Sequence, residues 1–147
     1  MFLSRSCEYG LRAVIYVAQN HSDEYVSIRE ISDKLNISFH FLTKILQTLT
    51  ETEIMISLRG PKGGVRLAKS PSEITLYKII TTIDGTDIFE KCLLGLHDCQ
   101  NSKPCPLHEQ WNGIRENLKQ MFQSNTLEIL SSRMATENLT ISDLLNV

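Results

Sequence analysis

Three cysteines and a histidine crowd into one short stretch of the chain: Cys92, Cys99, Cys105 and His108 are separated by six, five and two residues. Thiolates and imidazoles are the ligands of soft and borderline metals, so the cluster points to metal or redox chemistry. The gaps do not match paired Cys-x-x-Cys zinc ribbons, whose chelate loops are tighter. Longer gaps suit a larger ligand. An iron-sulfur cluster takes thiolates from a wide loop, and Gly95, Asn101, Pro104 and Pro106 make this loop irregular rather than helical. A zinc site built from the three cysteines and His108 has matching chemistry too, and three unliganded thiols are the plain alternative. No His/Asp arrangement or oxyanion-type glycine turn accompanies the cysteines, so an enzyme is not expected.

A second chemistry lies upstream. Arg59, Lys62, Arg66 and Lys69 place four positive charges and no negative one in eleven residues, around the run Gly60-Pro61-Lys62-Gly63-Gly64. Such glycines let a backbone lie close to phosphates or in a minor groove. Just before this run, no acidic residue occurs from Ser38 to Thr50, and Phe39, His40, Thr43, Lys44, Gln47 and Thr48 form one polar or exposed side that Ser38 opens. Small polar and amide donors without carboxylates are what a helix needs to read base edges. An ordinary solvated helix face is the alternative, and the basic run that follows favours DNA.

The elements that must carry these residues are legible as periodicity. Cys7, Leu11, Val14, Ile15 and Ala18 recur at helical spacing from Ser4 to Asn20, with Glu8 and Arg12 four apart on a neighbouring face. Cys7 reads as a core residue on that stripe. Ser27 followed by Glu30 predicts a capping box opening a short helix through Leu35, and Ser38 opens another carrying Phe41, Leu42, Ile45, Leu46 and Leu49. The tight turn Asn36-Ile37-Ser38 between them is helix-turn-helix spacing. Two strand-like runs, Ile54 to Leu58 and Val65 to Ala68, then flank the glycine-rich tip as a hairpin. A helix is predicted from Ser72 to Ile83, ended by Asp84-Gly85. From Leu107, the residues Trp111, Ile114, Leu118 and Met121 follow gaps of four, three, four and three, a coiled-coil seam that calls for a partner and continues to Asn125. Trp111 is expected as an anchor of that interface.

The expected fold is therefore mainly α with a small β-hairpin wing: a winged helix-turn-helix domain over 1–70, a connecting helix over 71–91, a cysteine-rich loop over 92–106, and a dimerisation helix with a C-terminal segment over 107–147. Thr126-Leu127 and Thr140-Ile141 each begin a threonine-led apolar run in that last segment.

With 147 residues, 41% hydrophobic and 22% charged, the composition is that of a packed globular protein. The net charge of -2 hides an asymmetry, +2 over 1–70 and -4 over 71–147. No apolar run approaches the roughly 20 residues of a spanning helix, and residues 1–12 lack a signal-peptide pattern. The expected location is the cytoplasm, with no membrane partner, where thiols stay reduced.

The run Arg59-Gly60-Pro61-Lys62-Gly63-Gly64 behind a helix-turn-helix, the start Leu3-Ser4 to Tyr9, and the Cys-Cys-Cys-x-x-His loop followed by Trp111 together resemble the IscR/NsrR-type iron-sulfur transcription regulators. The resemblance covers almost the whole chain. It implies a homodimer on a double-stranded DNA operator, with a cluster held by Cys92, Cys99 and Cys105 near the dimer interface. A 2Fe-2S cluster is the first expectation and a 4Fe-4S cluster the second. For the fourth ligand it offers His108 from the same chain or Glu8 from the partner's first helix, with His108 favoured. The implied function is a regulator that senses iron-sulfur status, redox state or nitric oxide. A cluster-free or zinc-bound regulator switched by cysteine oxidation is the alternative.

Overall fold

Ser4 starts the first helix by accepting the Cys7 N–H at 3.0 Å, and the chain runs from there through eight α-helices and one hairpin among the described residues. The structure is a computed structural model that describes residues 2–20, 23–96 and 103–145. The elements are α1 (Arg5–Gln19), α2 (Ile28–Leu35), α3 (Phe39–Glu51), β1 (Met55–Leu58), β2 (Gly64–Leu67), α4 (Leu76–Asp84), α5 (Asp87–Glu90), α6 (His108–Ser124), α7 (Leu127–Thr136) and α8 (Ile141–Leu145). Mainly helical with a two-stranded antiparallel wing, this is the expected winged-helix class.

The apolar side of α1 is wider than one stripe. Gly10, Ala13, Tyr16 and Val17 are buried along with Cys7, Val14 and Ala18, because α1 packs against α2, α3, α4, α7 and α8. A Cβ on Gly10 would stand 2.5 Å from the tip of the Ile83 side chain, which would have to shift to admit it, so α1 and α4 pack closely here.

The Ser27 hydroxyl caps α2 by accepting the Glu30 N–H at 3.2 Å, but only this half of the expected capping box forms. The Glu30 carboxylate instead accepts the Tyr16 hydroxyl at 2.8 Å, which ties α2 to α1. Asn36 ends α2 in the left-handed region, and the buried Ser32 hydroxyl donates to the Ile37 carbonyl at 2.6 Å, locking the turn into α3.

In the wing, Met55 pairs with Leu67 and Leu58 with Gly64. Val26 and Val65 exchange N–H···O bonds of 2.8 Å, which fastens the hairpin to the segment before α2. Gly64 makes that approach feasible: its φ is 153° and a Cβ there would lie 2.0 Å from the Val26 carbonyl oxygen.

The single helix expected from Ser72 to Ile83 is interrupted. Pro71–Glu73 form a 3₁₀ turn, Ile74 is extended, and α4 begins after Thr75, whose hydroxyl accepts the Lys78 N–H at 3.1 Å. Ile74 and Thr75 use their backbone elsewhere: the Ile74 carbonyl accepts the Leu127 N–H at 3.0 Å and Thr75 bridges Thr126.

On α6 the expected seam divides. Leu107, Ile114 and Met121 are exposed at heptad spacing, whereas Trp111 and Leu118 are half-buried and Arg115 and Phe122 are buried within the chain. Asn125 does not continue the seam, because its side-chain amide donates to the Met121 carbonyl at 2.7 Å and α6 stops there. Both threonine-led runs are helix starts. Thr126 caps α7, and Thr140 and Asp143 cap α8 reciprocally, with Thr140 N–H to the carboxylate at 2.8 Å and Asp143 N–H to the hydroxyl at 3.2 Å. These helices fold back onto α1, with Leu127 fully buried in the main core. A second, smaller core joins Cys7 of α1, Ile80 of α4, Phe89 of α5 and Phe122 of α6. Among the described residues no helix is long and apolar enough to cross a membrane.

Candidate cysteine centre and nucleic-acid interface

Cys92 follows α5 by two residues, and Cys105 precedes α6 by three. Their sulfurs meet at 3.7 Å, far beyond a disulfide bond length. Two thiolates about 2.3 Å from one tetrahedral metal stand about 3.8 Å apart, so the pair is spaced as two ligands of one such ion would be. Cys92 is buried and Cys105 half-buried. The Cys105 carbonyl accepts the His108 N–H at 2.9 Å, which places the histidine at the first turn of α6. Cys99 lies outside the described residues, and among the described residues no group of three or more His, Cys, Asp and Glu converges to hold a metal ion.

Glu8 lies on the first turn of α1, half-buried. Arg12, its expected neighbour, stands over the Tyr9 ring at 5.5 Å. The adjacent Cys7 is a core residue, as its place on the apolar stripe suggests. Burial, then the negative charge of Asp84, pushes its thiol up to about 12. Asp84, at the end of α4, accepts both the Ser4 N–H at 2.8 Å and the Ser4 hydroxyl, which pins the start of α1. Trp111 is not a pure interface anchor, since its indole N–H donates to the Lys91 carbonyl at 3.0 Å.

The second candidate surface is the outer side of α3 with the wing. Ser38, His40, Lys44 and Gln47 are exposed, while Phe39 and Thr43 are half-buried. The Thr43 hydroxyl donates to the Phe39 carbonyl at 2.7 Å, and the Gln47 amide donates to the Glu51 carboxylate at 3.2 Å. Arg59 and Lys62 are exposed at the hairpin tip. Gly63 shapes that tip, because a Cβ would fall 2.1 Å from the Leu58 carbonyl oxygen. Arg66 is engaged within the fold: its guanidinium lies 4.9 Å from the Tyr25 ring centre and donates to the Asp23 carbonyl at 3.1 Å. Arg29, which no motif in the sequence marks, is exposed with its guanidinium 4.3 Å above the Phe39 ring. Arg29, Phe39, Thr43, Arg59 and Gly60 share one groove of about 560 Å³ between α3 and the wing. The signal for Arg29 was available as a lone cation at the start of α2, yet only the fold sets it against Phe39.

The arrangement has relatives. An NsrR transcriptional regulator of Oceanobacillus iheyensis is 30% identical over 88% of this chain and 89% of its own. An IscR regulator of Yersinia pseudotuberculosis is 29% identical over 86% of this chain and 77% of its own. Among solved structures, CymR, the global cysteine regulator of B. subtilis, superposes with a TM-score of 0.75 at 28% identity, covering 89% of this chain and 96% of that one. The family model described as Rrf2, iron-dependent transcriptional regulator, matches residues 3–133. With a helix-turn-helix, a basic wing and this match along most of its length, the chain belongs to the Rrf2 family of DNA-binding transcriptional regulators.

Proposed function

We propose that the chain is a homodimeric regulator whose operator affinity is set by an iron-sulfur cluster on Cys92, Cys99 and Cys105. The observation that carries this reading is the 3.7 Å contact between the Cys92 and Cys105 sulfurs, at the two ends of the segment that contains Cys99. His108 supplies the fourth ligand from the same chain, with Glu8 of a second copy as its rival. Sequence kinship with the IscR and NsrR regulators supports the cofactor. Such a cluster, 2Fe-2S first and 4Fe-4S second, supplies a charge that changes on oxidation, on reaction with nitric oxide or on loss.

The chain's own residues do the rest. Ser38, Phe39, His40, Thr43, Lys44 and Gln47 face the major groove, Arg59, Lys62 and the Gly63 backbone approach phosphates or the minor groove, and Arg66 braces the wing from within. Ile114 and Met121 pack against the second copy. Anaerobic isolation followed by iron and sulfide analysis tests the cofactor. Operator binding with and without it tests the coupling.

A second reading has one observation in its favour. CymR, a regulator of cysteine, superposes well, and two thiols in contact are also the substrate of disulfide formation or two ligands of zinc. A colourless, zinc-bearing or metal-free protein whose DNA affinity follows thiol oxidation establishes that reading.

A further inference from the structure

Arg115 of α6 is only 6% exposed. Its Nη1 donates to the Glu90 carbonyl at 2.7 Å and the Lys91 carbonyl at 3.2 Å, and its Nη2 donates to the Asn112 side-chain oxygen at 3.0 Å. The buried Nε has no hydrogen-bond partner among the described residues. Among those residues the guanidinium also has no carboxylate within ion-pair distance. Glu90, whose carbonyl it holds, turns its carboxylate to the Thr86 hydroxyl at 2.9 Å. Carbonyl dipoles lower the cost of burying this cation but leave its charge uncancelled.

The carbonyl of Lys91 belongs to the peptide that enters Cys92. It accepts two bonds from α6, one from Arg115 and one from the Trp111 indole at 3.0 Å. Both donors lie on one side of the helix, four residues apart, so α6 grips the chain directly before one sulfur while Cys105 enters the start of the same helix.

We propose that Arg115 is a positioning and charge-compensating residue for the cysteine centre. With Trp111 it clamps the Lys91–Cys92 peptide so that the Cys92 sulfur meets that of Cys105. Its uncancelled charge offsets the negative charge that accumulates when thiolates gather on a metal. The proposal rests on the cysteine-centre reading and assigns a role to a side chain outside the ligand set.

The test uses the full-length protein, once reconstituted with its cluster and once as the reduced metal-free form titrated anaerobically with Co²⁺. Arg115→Gln removes the charge, Arg115→Lys keeps it, and Trp111→Phe removes one clamp bond without changing charge. Arg115→Gln should weaken Co²⁺ binding by about 10- to 100-fold, as loss of a supporting contact does at metal sites, and lower the cluster reduction potential. Arg115→Lys should restore the potential. Trp111→Phe should weaken Co²⁺ binding while leaving the potential near that of the wild type. An Arg115→Gln protein with native circular dichroism, Co²⁺ affinity and potential overturns the proposal. If Arg115→Gln does not fold, an unchanged Co²⁺ affinity in Trp111→Phe together with a potential in Arg115→Lys well below that of the wild type overturns it as well. Failure of the parent reading looks different: the wild type itself then gives neither a cluster nor cobalt-thiolate absorption.

Discussion

Thr75 and Thr126 form an isolated antiparallel bridge, so the residue that caps α4 lies against the residue that caps α7. The flanking bonds, Leu76 N–H to the Asn125 carbonyl at 2.9 Å and Leu127 N–H to the Ile74 carbonyl at 3.0 Å, fasten the end of α6 to the start of α4. Since α4 packs on α1 and α3, the long helix that follows the cysteine loop is joined to the helix-turn-helix by backbone contacts.

This junction is expected to be costly to weaken. Leu127→Ala removes a fully buried side chain from the main core and should destabilise the fold by about 2 to 5 kcal/mol. Thr126→Ala removes only the α7 cap and should cost about 1 kcal/mol. Urea unfolding of both variants checks the ranking, and equal losses would contradict it.

Ile114 and Met121 are 56% and 48% exposed, at heptad spacing on one side of α6. Replacing both by Glu should leave the fold of the single chain intact and shift the mass in solution from dimer to monomer, with loss of operator binding. Light scattering with circular dichroism decides it, and a native dimer after the double change removes this face from the interface.

Two buried groups set the alkaline limit. The Cys7 thiol, ordinarily near 9.0, and the Tyr16 hydroxyl, ordinarily near 10.0, are each pushed up to about 12, chiefly by burial, with Asp84 and Glu30 adding to it. Both are held neutral in the folded chain and ionise sooner when it unfolds. Their contribution is therefore complete below pH 9 and is lost as pH rises toward 12. The midpoint of urea unfolding should fall across that window in the wild type. It should fall less between pH 9 and 12 in Cys7→Ala, and less between pH 10 and 12 in Tyr16→Phe. Parallel curves for wild type and variants would contradict this account.

At the DNA face, Lys62→Ala should weaken operator and random DNA alike and reduce the salt slope by about one. Thr43→Ala or Gln47→Ala should cost operator affinity selectively, by about 1 to 3 kcal/mol where a good base contact is lost. Arg66→Ala should act differently from either, by loosening the wing from Tyr25 and Asp23 and lowering stability without DNA present. Titrations at several salt concentrations separate the three behaviours.

The winged-helix class was legible because its signals are local. The Asn36 turn, the Gly63-Gly64 tip and the apolar spacing of α3 each depend on residues within a few positions of one another. What the sequence hid depends on distant partners. Glu30 leaves its capping box for Tyr16, fourteen residues back, and the break at Ile74 is set by Leu127. In the candidate site, the cysteine spacing marked the segment, but the meeting of Cys92 with Cys105 follows from the packing of α5 against α6. Arg115 carries no local signal in the sequence; only packing makes it a buried cation with carbonyl partners.

The most direct test of the account is iron and acid-labile sulfide per subunit in anaerobically isolated protein, measured together with operator affinity before and after cluster removal. The account predicts a coloured protein with both elements present, lost together in Cys92→Ala and Cys105→Ala, and an operator affinity that changes when they are removed. A colourless protein without iron or sulfide, or one whose operator affinity is the same with and without the cluster, contradicts it.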